Sequence, residues 1–229
     1  MIAFAALLAS AATAQSLAAL NGMDAYNRGD IPTAYRLLRA AADTGDAEAE
    51  VNLGYMYARG QGVAADDVAA FRLYEKSAAQ GDGEGMNALG YKYYHGSGVA
   101  QNTQQAIHWL CLAVLEGNPR AMNNLAGLLY AGSDVERDIA EAESLWLQAA
   151  ALGHTNAMMN LAGLYRQTDP AKAKEWVVRA AEKGQPTAQQ VLRNAGYRGP
   201  LPPPFDETGA MIPFVKRAAG HAKICGLTS

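Results

Sequence analysis

The stretch Leu89-Gly90-Tyr91-Lys92-Tyr93-Tyr94-His95-Gly96-Ser97-Gly98-Val99 decides the fold, because the chain contains it more than once. Asn52-Leu53-Gly54-Tyr55-Met56-Tyr57-Ala58-Arg59-Gly60-Gln61-Gly62-Val63 carries the same pattern 36 residues earlier. The register continues outward: Leu53, Leu89, Leu125 and Leu161 stand 36 apart, each followed by a small residue, Gly54, Gly90, Ala126 or Ala162. Tyr57, Tyr93, Leu129 and Tyr165 keep step, as do Gly60, Gly96 and Gly132 with Val63, Val99 and Val135. A second register runs through Ala34, Ala70, Ala106 and Ala142, and a third through Gly45, Gly81, Gly117 and Gly153. Chance does not hold three registers in phase, so the chain is a repeat array.

Each repeat reads as two helices. Leu89, Gly90 and Tyr93 share one face of a 3.6-residue period, and the small residue after the leucine admits a neighbouring helix at close range. The second helix opens at Asp66, Asn102 or Asp138, good N-caps. Asn102 with Gln105 and Asp138 with Glu141 have capping-box spacing. Its buried stripe is Ala106, Trp109, Leu110, Ala113 and Val114 in one copy and Ala142, Leu145, Trp146, Ala149 and Ala150 in the next. Gly117 and Gly153 supply the left-handed residue that ends it. Asn118-Pro119 then starts the following helix, with proline where its missing N–H is harmless.

This pattern resembles the Sel-one-like repeat family, a longer-looped relative of the tetratricopeptide repeat, over Gln15 to Gly196. The two quoted strings match the family's L-G-x-x-Y-x-x-G-x-G-V segment. The third copy departs at Asp134, which replaces the second loop glycine, and the first and fourth copies have the shorter tetratricopeptide-like loop. The resemblance implies an all-α fold, a right-handed α-solenoid of about five stacked hairpins with a capping helix from Pro186 to about Asn194. One hairpin cannot bury its own apolar stripe, and stacking builds a continuous core. On function the resemblance implies only a protein-binding scaffold, with the first helices lining the binding groove.

Composition agrees and excludes several alternatives. Half of the 229 residues are hydrophobic, only 8% are aromatic, and alanine carries much of the apolar share. Alanine favours helix over strand. A net charge of −3 excludes a generally basic nucleic-acid binder. Two cysteines exclude a disulfide-dense scaffold. No charged residue precedes Asp24, Ile2 to Leu8 is an apolar run, and Ala12-Thr13-Ala14 offers an A-x-A cleavage site. The expectation is a signal peptide over residues 1–14, a mature start at Gln15, a periplasmic or secreted protein, and no membrane span after cleavage. No Lys or Arg precedes the apolar run, and a buried first helix is the competing reading.

The groove-facing positions in the first helices are two before, two after and five after the repeat leucine. They point to Tyr55, Asn87, Tyr91, Tyr94, Asn123, Tyr130 and Arg166 as partner contacts, along with Val51, Ala58, Gly127, Met159 and Gly163. Arg59, His95 and Arg120 lie near the same wall. Tyrosine offers contact area at low entropic cost, asparagine pairs with extended backbone and arginine grips carboxylates, a set that suits a peptide or protein partner. Packing between repeats is the other reading of Tyr91 and Tyr130. The residues suggest neither cofactor, metal site nor enzyme. His95, His108, His154 and His221 lack metal-ligand spacing, and there is no nucleophile elbow, P-loop or dinucleotide fingerprint. The loop glycines recur in phase, as structural turns do, and Asp66-Asp67 fits a helix start.

Beyond Gly196, a Pro-rich segment from Arg198 to Phe205 precedes a short amphipathic helix over 212–225 with Phe214, Ala218, Ala222 and Cys225 on one face. Residues 197–229 are thus expected to be a linker and a short helix that docks on the solenoid or on a partner, a loose tail being the competing reading. Cys111 sits at offset five of its helix, where other repeats carry Arg39, Glu75, Leu147 and Val178, so it is expected to face outward. The expectation is a Cys111–Cys225 disulfide, with reduced thiols or an intermolecular bridge as alternatives. The leading function is an exported interaction scaffold or regulator. The alternatives are an envelope enzyme acting on peptidoglycan or a β-lactam, and a cytoplasmic adaptor. Relatives described as β-lactamase-like carry a cysteine pair in each repeat, and this chain does not.

Overall fold

Asp66, Asn102 and Asp138 start helices where their spacing predicts, because each side chain accepts the backbone N–H three residues on, from Ala69, Gln105 and Glu141. Asn118 does the same for Ala121 at 2.9 Å, with Pro119 in the first turn. Such a cap contributes about 1 kcal/mol per helix end. Gly117 and Gly153 have φ of 76° and 85° after the second helices, the left-handed conformation expected of them.

The computed structural model describes residue 17, residues 19–196 and Cys225. The expected signal peptide over 1–14 and the expected linker and helix over 197–229, apart from Cys225, lie outside the described residues. Among the described residues all regular structure is helical. The helices are α1 (residues 19–27), α2 (Ile31–Asp43), α3 (Ala47–Arg59), α4 (Asp67–Ala79), α5 (Gly83–His95) and α6 (Thr103–Leu115). They continue with α7 (Pro119–Ala131), α8 (Ile139–Ala151), α9 (Thr155–Tyr165), α10 (Pro170–Glu182) and α11 (Pro186–Asn194). The chain divides at Glu116 and Gly117 into two compact units. In the first, each helix from α2 to α6 packs on the next, and α3 also touches α5. In the second, α7 to α11 pack in the same sequential manner.

The small residue after the repeat leucine has the steric role its spacing implies. A Cβ on Gly54 would lie 2.5 Å from the Tyr74 ring and one on Gly90 2.8 Å from Leu110; Gly22, which follows Asn21 and not a leucine, meets Leu38 in the same way at 2.8 Å. Three hairpins of the first unit therefore close on one device, a first-helix glycine beneath a large second-helix side chain. The loop glycines serve the seam between repeats. A Cβ on Gly62 would lie 2.8 Å from Ile31 Cγ2, and one on Gly98 would overlap the Asp67 carbonyl. No non-glycine residue among those described has positive φ, so the loop carrying Asp134 follows a different backbone at that point.

Aromatic pairs join successive repeats at a fixed register. Tyr57 meets Tyr35 edge-on with centroids 6.1 Å apart and hydroxyls 3.0 Å apart, and Tyr93 meets Phe71 edge-on at 5.4 Å. In the second unit the equivalent Tyr165 hydroxyl donates to Glu143. Burial and the Glu143 carboxylate push the Tyr165 phenol well above its ordinary pKa. A pair of this kind adds about 0.5–1.5 kcal/mol beyond the area it buries.

Candidate functional site

The first helices position the candidate residues, and the leucine register turns one face of each helix inward. Leu89 is fully buried while Tyr91, two residues on, is 54% exposed. Tyr91, Tyr94 and His95 form one aromatic cluster on α5. The His95 ring lies 4.2 Å from that of Tyr91, tilted by 44°, and 5.1 Å from that of Tyr94, edge-on. His95 is the last residue of α5, where a basic group complements the helix dipole.

Tyr55 occupies the register of Tyr91 one repeat earlier, yet it is half-buried. Its hydroxyl donates to Glu84 in the first turn of α5, and its ring meets Tyr74 edge-on at 5.6 Å. Burial raises the Tyr74 phenol pKa, which keeps that ring neutral within the hairpin. Arg59 lies over Tyr55 at 5.4 Å and remains exposed. Tyr55 is thus a packing residue with one edge toward solvent. The sequence reading missed Glu84. The available signal was its place seven residues before Tyr91, on the same stripe of α5.

Two expectations are corrected here. Asn87, taken as a groove contact, is only 5% exposed, and its equivalent Val51 is 3% exposed. In the first unit the position two before the leucine is buried and closed to a partner. Cys111, expected to face outward, is 3% exposed, as is Val178 at its register, whereas Arg39 and Glu75 there are exposed. A half-cystine carries another residue on its sulfur, and no cysteine among those described is free: Cys111 and Cys225 are both disulfide-bonded.

In the second unit, Tyr130 is 38% exposed and tilted against Trp146 at 5.4 Å. The Arg137 guanidinium lies over the Tyr130 ring at 5.5 Å, and its Nε donates to the Tyr130 carbonyl at 3.0 Å. Trp146 is buried, and its indole N–H finds no acceptor among the described residues. Asn123 accepts a hydrogen bond from Asn160 at 2.9 Å, linking α7 to α9. Arg120 and Arg166 are exposed, one in the first turn of α7 and the other capping the end of α9. Gly127 and Gly163, at the register of Tyr55 and Tyr91, have open space where a Cβ would stand.

Two ionic features have structural explanations. Lys92, buried on α5, pairs with Asp67 in the first turn of α4, so Asp67 ties one repeat to the next. Glu50, also buried, accepts from Gln80 at 2.8 Å, and burial raises its carboxyl pKa above the usual range. No cluster of three or more His, Cys, Asp or Glu suited to a metal occurs among the described residues. No described helix is long and apolar enough to cross a membrane.

Helical hairpins of fixed period, closed by small-residue seams and joined by recurring aromatic contacts, define an α-solenoid repeat protein. The Sel1 repeat model matches residues 12–46, 47–82, 83–118, 119–154 and 157–185, and the chain belongs to the Sel1 repeat family. Members of this family serve as protein-interaction scaffolds. No curated protein sequence matches the chain. Among solved structures it is similar to a Sel1 repeat protein from Oxalobacter formigenes, with 25% identity and a TM-score of 0.64. That match covers 92% of this chain and 82% of the other. It is also similar to c5321, a protective antigen of uropathogenic Escherichia coli strains displaying an SLR fold, at 26% identity and a TM-score of 0.58. The match covers 93% of this chain but only 46% of the antigen. The immunity protein Pa5087 from Pseudomonas aeruginosa shares the fold, at 20% identity and a TM-score of 0.59, covering 85% of this chain and 73% of that one.

Proposed function

We propose that the chain is an exported, non-enzymatic scaffold that holds a peptide or protein segment against the first-helix walls of its units. Tyr91 carries this reading. It is a large aromatic, more than half exposed, on a helix whose packing is already supplied by Leu89 and Tyr93. A tyrosine that meets His95 of its own helix and still stands more than half exposed offers a partner a rigid apolar face and a hydroxyl at little entropic cost. Tyr94 and His95 extend that face in the first unit. Tyr130, backed by Trp146 and Arg137, offers a second one in the other unit.

The test is a triple substitution, Tyr91→Ala, Tyr94→Ala and Tyr130→Ala, used as bait in cross-linking capture from the native cell envelope. Capture of the partner seen with the wild type is expected to fall at least about tenfold, since interface tyrosines are often worth more than 1 kcal/mol each. The helical circular-dichroism spectrum is expected to persist. Undiminished capture, or collapse of the fold, overturns the reading. Export is tested separately by the intact mass of protein collected outside the cytoplasm, which should begin at Gln15 and be periplasmic or secreted. Retention of residues 1–14 overturns it. Incubation with a β-lactam is expected to leave no acyl adduct.

A further inference from the structure

The first helices of the second unit carry charge of one sign. Helices α7, α9 and α11 contain no Asp or Glu. Their charged side chains are Arg120 on α7, Arg193 on α11 and Arg166 at the C-terminal end of α9. The first unit differs, with Glu48 and Glu50 on α3 and Glu84 on α5. The described carboxylates of the second unit stand on α8 and α10 and in the loops before them. Several are engaged there: Asp138 and Asp169 cap α8 and α10, and Glu143 accepts from the Tyr165 hydroxyl. Arg166 is exposed and pairs with no carboxylate among the described residues.

The polar side chains between the arginines are joined across two helices. Asn123 and Gly127 fall on one face of α7, and Asn160, Gly163 and Arg166 on one face of α9, at spacings of three or four residues. Asn160 Nδ2 donates to Asn123 Oδ1 at 2.9 Å and ties the two faces together. The exposed Asn160 keeps its Oδ1 and its second N–H without a partner among the described residues. A Cβ on Gly127 or Gly163 would meet nothing within 4 Å, so packing does not require glycine at either place. Glycine does let another backbone approach closely.

We propose that the joined face of α7 and α9 binds an acidic, extended peptide segment of a partner protein. The inference rests on the functional reading above and gives the partner's chemistry at the second unit. Charge complementarity selects an acidic segment, because a carboxylate can accept a forked pair of hydrogen bonds from Arg166 on helices that hold no like charge. A basic segment would meet only arginines. The amide of Asn160 selects an extended main chain, whose edge presents a carbonyl to its free N–H and an N–H to its free Oδ1. Gly127 and Gly163 leave room for that main chain to lie against the two helices. A segment bound through bulky apolar side chains would need apolar surface that these positions lack.

The test uses the full chain and a library of random linear peptides displayed on phage. Peptides selected on the wild type are expected to be enriched in Asp and Glu by at least about twofold over the unselected library, as arginine-lined surfaces select acidic motifs. The strongest of them is then made with a fluorescent label and titrated by anisotropy. Arg166→Gln should weaken its binding at least about tenfold, the loss of a charge-assisted pair. Gly163→Leu should weaken it comparably while the melting temperature holds or rises, because the site is open and a helix glycine is removed. Lys183→Gln, which removes one exposed positive charge at the end of α10, should leave binding unchanged. Selection without acidic enrichment, no selected binder, or equal binding by the wild type, Arg166→Gln and Gly163→Leu overturns the proposal. Undiminished partner capture by the triple tyrosine variant would overturn the earlier reading and leave these outcomes unchanged.

Discussion

At one register, two residues past the repeat leucine, the first unit carries Tyr55 and Tyr91 and the second carries Gly127 and Gly163. The backbone is the same helix in all four places. Tyr55 has been drawn into packing by Glu84 and Tyr74, Tyr91 stands clear, and the two glycines have open space around them. Glycine inside a helix costs about 0.8–1.0 kcal/mol relative to alanine. At Gly54 and Gly90 a close neighbour explains that cost, and at Gly127 and Gly163 none does. The contrast teaches that the repeat constrains the leucine, the small residue after it and the caps, and leaves this wall position free to vary. This one position is aromatic in the first unit and glycine in the second, so the same repeat presents different surfaces there.

The largest effect separates two neighbours on α5. Leu89→Ala should destabilise the protein by about 2–5 kcal/mol, and Tyr91→Ala by no more than about 0.5 kcal/mol. Urea unfolding followed by circular dichroism reads both, and a large loss at Tyr91 would place it in the core. Next, the same substitution should act with opposite sign at two glycines. Gly54→Ala drives a methyl into the Tyr74 ring and should cost about 1–3 kcal/mol. Gly127→Ala should gain about 0.5–1 kcal/mol, and by our functional reading it should weaken partner capture. Stabilisation at both positions would erase the distinction between packing and wall glycines.

A smaller effect tests the buried carboxylate. With its folded pKa raised by burial, Glu50 prefers its proton in the folded state. Its contribution to stability is therefore full below the unfolded glutamate value and is lost as pH rises through the folded one. Glu50→Gln should accordingly stabilise the protein at pH 7 by less than about 1 kcal/mol. The gain should vanish toward pH 4, and thermal melts across that window check the sign. The smallest effect concerns the start of α9. Asp46, Asp82 and Asn118 cap the preceding first helices through oxygen, whereas His154 accepts from Ala157 through Nδ1 at 3.2 Å. His154→Asn should gain up to about 0.5 kcal/mol, asparagine being a preferred cap, and hydrogen exchange at the Ala157 amide would report it.

The sequence by itself determined the period, the two-helix unit, the caps at Asp66, Asn102, Asn118 and Asp138, and the signs of φ at the turn glycines. It also determined the boundaries of α11. These follow from interactions within a few residues, and a repeat states them several times over. Tertiary packing alone decided which wall residues are available. Asn87 is buried and Tyr91 is not, Tyr55 is engaged by a glutamate from the next repeat, Lys92 is buried against Asp67, and Cys111 is covered where Arg39 and Glu75 are exposed. Each of these depends on what a neighbouring helix brings against the position, and for Tyr55 and Lys92 that residue stands 29 and 25 positions away along the chain. Helical periodicity fixes the direction of a side chain and carries no information about what stands opposite it.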